Sequence, residues 1–261
     1  EKVEITILDA EGRVVRIVEG PKDLGINRIW WDLRYEATTE IKLRTSPPYA
    51  PEIGVGPEGW REFPGGGRLS VLVPPGEFTV RLTVDGQTYE QPIEVRKDPN
   101  TAGSEQDIQA QTKVLMELRE ELNRVARSIN QIESIRAQLA ALTNRMDDSE
   151  DGQAVKLAAD ELGKKLVVIE EQLFQMKITG RGQDMIRYPT QLVGKIMHLA
   201  DGLAVADFPP TEEQLEVHRL LGHNNESLRT SLDGILSRDL EDFNNLLRDM
   251  NVPNVSAAVQ E

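Results

Sequence analysis

From Leu115 onward the apolar residues fall at Leu118, Leu122, Val125, Ile129, Ile132, Ile135, Leu139, Leu142 and Met146. The steps are three or four residues throughout, with a phase slip near Ile132, and only a long amphipathic helix satisfies them. Running from about residue 104 to 146, it would span roughly 60 Å at about 1.5 Å per residue. A second stripe runs Val155, Ala159, Leu162, Leu166, Ile169, Leu173, Met176, and a third uses Leu192, Ile196, Leu199 and Leu203 behind Pro189. A fourth follows Pro209-Pro210, where Thr211-Glu212-Glu213-Gln214 matches a capping box, and extends to Met250. Four such stripes joined by short loops predict an antiparallel four-helix bundle over residues 104–252, with 253–261 as a tail.

Before residue 98 the period is two. Val3 to Ile7 alternates apolar and polar residues, and Glu77 to Val84 faces Gln87 to Val95 across Asp85-Gly86, a pair suited to a type I′ turn. Several short strands with no helical pattern between them predict an immunoglobulin-like antiparallel β-sandwich over 1–98. The expectation is thus two domains, all-β then all-α, joined by a linker at 99–103. The stretch 35–68 interrupts the first with Ser46-Pro47-Pro48-Tyr49-Ala50-Pro51 and Gly65-Gly66-Gly67. Its aromatic residues Tyr49, Trp60 and Phe63 argue that much of this excursion is pinned to a surface.

Composition excludes several functions. The 261 residues include no Cys, so there is no disulfide framework, thiolate zinc site or cysteine nucleophile. A net charge of −14 argues against nucleic acid as a partner. No apolar run reaches 18 residues, so no membrane span is expected. Glu1 is not an initiator Met, and the chain is read as a piece or processed product.

Catalytic constellations are not found. His218 and His223 are five apart and cannot share a metal as an i, i+4 pair does. His218 and Asn225 read as buried polar residues on the fourth stripe, the amide fixing register. Asp147-Asp148-Ser149-Glu150-Asp151-Gly152 matches the opening of a calcium loop, but position 12 is Ala158, so Asp147, Ser149 and Asp151 form a weak calcium candidate beside the reading as an acidic turn. In Arg28 to Leu33, alternation assigns Trp31 to the core and turns Trp30 away from it. Trp30, Tyr49 and Trp60 are therefore the candidate ligand or partner surface. No cofactor is implied, and the chain reads as non-enzymatic.

Three stretches carry a resemblance: Ile7-Leu8-Asp9-Ala10-Glu11-Gly12-Arg13-Val14-Val15-Arg16, then Gly25 to Arg34 with Trp30-Trp31-Asp32, then Pro75-Gly76-Glu77-Phe78-Thr79-Val80. They resemble the immunoglobulin-like module that follows the β-propeller in large secreted bacterial proteins with sortilin-like or BNR repeats, often labelled glycosyl hydrolases. The order of the second half is similar to their C-terminal helical region. The resemblance implies an exported protein, an upstream β-propeller of the same polypeptide as partner, and a spacer or docking role without catalysis. The alternatives are a carbohydrate- or peptide-binding module and, less favoured, an ancillary part of a glycoside hydrolase, with another protein or a glycan as partner.

Overall fold

The computed structural model describes residues 3–180 and 182–258. Helix takes 46% of these and strand about 14%, so the expected succession of a β-sandwich and a four-helix bundle is not what forms. The elements are β1 (Val3–Leu8), β2 (Val14–Glu19), β3 (Lys42–Leu43), β4 (Arg61–Glu62), β5 (Gly76–Val84), β6 (Gln87–Val95), α1 (Glu105–Thr143), α2 (Glu150–Leu173), α3 (Asp184–Arg187), α4 (Leu192–Leu203), α5 (Glu212–Gly234) and α6 (Leu240–Asp249), with a π-helical turn at Ile235–Asp239 between the last two. They belong to two compact units, each assembled from separated segments: 1–38, 68–120 and 200–215 in the first, and 39–67, 121–199 and 216–261 in the second.

The first unit holds one antiparallel sheet in the order β2-β1-β5-β6. The β5–β6 hairpin turns at Asp85 and Gly86, both at positive φ, as a type I′ turn requires. A full second sheet does not form. Residues 33–38 and 69–73 meet in an irregular ladder (Val73 N–H to Leu33 O, Tyr35 N–H to Val71 O, Thr38 N–H to Leu69 O), with one recognised bridge at Arg34 and Leu72. Leu33 at φ 58° ends the extended run begun at Arg28. Against the sheet Ile7, Val15, Val73 and Phe78 form one buried cluster, with Trp31, Tyr35 and Val80 packed on it. Trp31 is half-buried, edge-on to Phe78 at 5.5 Å, its indole N–H donating to Arg34 O. It is a core-edge residue and not the enclosed tryptophan that strand alternation predicts. Elsewhere in this unit Gln111 donates its amide to the carbonyls of Leu203, Ala206 and Phe208, which closes the end of α4. Gly103 lies so close to Asp207 O that an added Cβ would come within 1.5 Å of it.

The second unit is built on the later part of α1, whose Leu122, Val125, Ile129, Ile132 and Ile135 are fully buried. Its excursion is ordered as a strap, and the polar residues of α1 hold it by the backbone. Asn123 Oδ1 accepts from Thr39 N–H at 2.8 Å, and Asn130 accepts from Lys42 N–H while donating to Glu40 O, both at 2.8 Å. Glu133 accepts from Thr45 N–H at 2.7 Å and from its hydroxyl at 2.9 Å. The tail is held in the same way. Gln138 pairs with both N–H and O of Ser256, Asn244 does so with Val255, and Gln131 donates to Ala257 O.

The fourth stripe is also corrected. Leu228, Leu232, Leu236 and Leu240 advance by four each time, which drifts around an α-helix by about 40° per step. The π turn absorbs that drift and leaves Leu240, Phe243 and Leu247 buried.

Replacing Asn130 by Ala removes the acceptor of Lys42 N–H and the donor to Glu40 O from the strap backbone. Denaturant unfolding is expected to register a loss of about 1–3 kcal/mol, the range for buried polar groups left unsatisfied.

Candidate functional site

In the second unit α1, α2 and the strap enclose a groove of about 760 Å³. Leu139, Ala140 and Thr143 come from α1, Ala159, Gly163 and Val167 from α2, and Pro48 and Tyr49 from the strap. Small residues at Ala140, Ala159 and Gly163 keep it open; a Cβ at Gly163 would meet nothing within 4 Å. Its charged lining is mostly spoken for internally: Lys164 pairs with Asp160 at 2.5 Å and Lys156 with Asp148 at 2.8 Å. Tyr49 donates its hydroxyl to Glu171, and this hydrogen bond, followed by the charge of Glu171, raises the phenol above its ordinary value. The Lys177 ammonium stands 4.7 Å from the Tyr49 ring centre.

Beneath the groove is a buried polar centre. Glu133 and Glu170 are both 0% exposed, and Arg136 Nη1 donates to one at 2.8 Å and the other at 2.6 Å. Arg61, half-buried on β4, donates its Nε to Thr45 O at 3.0 Å. Glu170 Oε1 has no hydrogen-bond partner. Burial first, and then the neighbouring Glu133 charge, hold the Glu170 carboxyl well above the usual carboxylate range against the opposing pull of Arg136.

The aromatic residues singled out by sequence do not gather in this groove. Trp60 is half-buried beside the β3–β4 pair, with the Lys42 ammonium 5.2 Å from its ring centre, and is not part of the groove lining. Trp30 belongs to the first unit, where it is 82% exposed, and Leu24 and Ile26 earlier in the same stretch are fully exposed. That unit has its own cleft of about 720 Å³ on one face of the sheet, lined by Val3, Ile5, Val80, Leu82, Val84 and Ile93 and bordered by Ile29 and Trp31.

At the Asp147 turn, Asp147 Oδ1 accepts from Ser149 N–H at 3.2 Å and from its hydroxyl at 2.5 Å, and Ser149 Oγ accepts from Gly152 N–H at 3.1 Å as the N-cap of α2. Gly152 is required because a Cβ there would lie 2.4 Å from Asp147 O. The hydrogen bonds from Ser149 lower the Asp147 carboxyl. Asp151 lies in the first helical turn, where an acidic side chain favours the helix start. Among the described residues no three His, Asp or Glu side chains converge as metal ligands would. His218 is half-buried, while His198 and His223 are exposed. Asn225 is buried and donates to Glu121 O and to Glu121 Oε2.

The Glu133–Arg136–Glu170 centre escaped sequence reading. Its signal is Glu133 standing beside Ile132 on the buried side of α1, and Glu170 beside Ile169 on α2, charged residues where the helical period allows little water.

No helix among the described residues is long and apolar enough to cross a membrane. No known family pattern, curated protein or solved structure matches the chain.

Because Ser149 serves as a cap, Ser149→Ala is expected to destabilise the second unit by about 1 kcal/mol in chemical unfolding. Calorimetric titration of the unaltered chain with calcium is expected to give no saturable heat below millimolar concentrations, since the turn lacks the bidentate carboxylate of a calcium loop.

Proposed function

We propose that this chain is a non-catalytic structural and interaction region of a larger exported bacterial protein, acting as a spacer or docking module beside a β-propeller of the same polypeptide. The observation that carries the docking role is the set of exposed apolar residues of the first unit, Leu24, Ile26 and Trp30, in the stretch whose Asp23, Asn27, Ile29 and Trp31 border the cleft on the sheet. Exposed apolar clusters of this kind mark interaction surfaces more often than catalytic ones. The propeller and the exported location come from the sequence resemblance. Support for a non-catalytic role comes from how the polar side chains are used: Gln111, Asn123, Asn130, Gln138 and Asn244 are all spent on backbone amides and carbonyls. Peptide binding is the second reading, favoured by the α1–α2 groove with its small-residue floor and Tyr49 wall.

Photo-crosslinking from position 24 or 26 in the full-length polypeptide tests the docking role, together with hydrogen exchange over residues 21–33. Crosslinks to the propeller and slower exchange than in the isolated chain are expected. Unchanged exchange with no crosslink would sink the docking role, and turnover of glycosides by the isolated chain would sink the non-catalytic one.

A further inference from the structure

Two carboxylates without solvent contact share one guanidinium nitrogen in the second unit, and one of them also carries the strap. Glu133 accepts the amide and hydroxyl of Thr45 as well as a hydrogen bond from Arg136, so its oxygens are well supplied. Glu170 accepts from Arg136 on Oε2 and stands within hydrogen-bonding reach of the Glu133 carboxylate, while its Oε1 is buried without a partner. A lone oxygen in a dry site costs far less on a neutral acid than on an anion. The charged groups facing Glu170 are Glu133 and Arg136 from α1 and, from the strap, Arg61 on β4; the strap also brings the amide and hydroxyl of Thr45 to Glu133. Arg61 is itself drawn toward the carbonyl of Thr45, while Arg136 is hydrogen-bonded to both acids.

We propose that Glu133 and Glu170 form a proton-held latch: with one proton on Glu170 the strap stays clasped to α1 at Thr45, and loss of that proton at raised pH loosens the clasp. The second negative charge would compete with Glu133 for Arg136 and push the two acids apart. Since Glu133 is the acceptor for Thr45, the disturbance reaches the strap directly. The consequence extends to the groove, because Arg136 lines it and Pro48 and Tyr49, three and four residues past Thr45, form its strap wall. The sign follows from linkage. Glu170 binds its proton more tightly folded than unfolded, so its stabilisation is fully present below the unfolded carboxyl value and is lost as pH rises through the folded one.

The test uses the whole chain from mildly acidic to mildly alkaline pH, comparing wild type with Glu170→Gln, an uncharged side chain of the same shape. Wild type is expected to lose melting temperature and Thr45 amide protection as pH rises, relative to amides of β5. The Glu170→Gln protein should flatten that dependence and melt above wild type at the alkaline end. Infrared spectra should contain the carbonyl stretch of a buried protonated acid at neutral pH, absent in Glu170→Gln. Glu133→Gln, which removes the neighbouring charge that holds Glu170 up and leaves the Arg136 guanidinium unopposed, should move the wild-type transition to lower pH, Glu170 losing its proton sooner. Parallel pH profiles for wild type and Glu170→Gln, or no protonated-acid band in wild type, would overturn the latch. Should Glu170→Gln not fold, the wild-type band and the direction of the Glu133→Gln shift decide the matter alone.

Discussion

A carboxamide on a helix can satisfy an N–H and a C=O of an extended chain together, and the second unit depends on that exchange. Asn130 pairs with Lys42 and Glu40, Gln138 with Ser256, and Asn244 with Val255. Each does for an irregular segment what a neighbouring strand does in a sheet, so buried backbone finds partners without regular strand pairing. This is how a segment rich in Pro and Gly becomes ordered with only one pair of two-residue strands, β3 and β4, of its own. The strap in turn supplies Thr45 to Glu133 and Tyr49 to the groove. Remove the amides, and both the polar centre and the groove lose one side.

Helices were the most legible part of the sequence because their apolar stripes are long and repeat many times. The capping box at Thr211 is present as read, with Thr211 N–H donating to Gln214 Oε1 and Gln214 N–H to Thr211 Oγ1. The β5–β6 hairpin was equally plain, since Asp85-Gly86 leaves little other choice of turn. Fold class went astray for two physical reasons. Period-two alternation in 28–33 signals an extended chain, not one paired along its length, and Leu33 breaks the run. Chain order also hid the fact that the compact units draw on separated segments. A residue such as Asn130 can announce that it is buried without saying which backbone, some 90 positions away, it will meet.

Candidate sites were less legible than elements. Tyr49 and Trp60 are in the same unit and both lie beside lysine ammonium groups, yet only Tyr49 lines the groove. Scarcity of aromatics marked them as worth attention, but it carries no information about which of them share a surface. The Asp147 loop shows the opposite hazard: its oxygen-rich spacing and Gly152 have sufficient cause in a helix cap and a close backbone approach. Glu133 and Glu170 stood in apolar stripes and were missed because the stripes were read for what they contain most of.

The outermost strand of the first unit presents nine residues, Gln87–Val95, with almost no cover on either face and only β5 at its side. Such an edge is ready for another extended chain. Near its middle stands Pro92, which has no amide to offer, flanked by Glu90 and Glu94, which are ion-paired with Arg81 and Arg96 and keep this edge charged. At high local concentration, as when many copies are made at once, this hairpin is therefore guarded against growing into a shared ribbon. The guard is concentrated in one imino acid and two carboxylates, so colloidal behaviour should be far more sensitive to these three positions than to the polar residues between them.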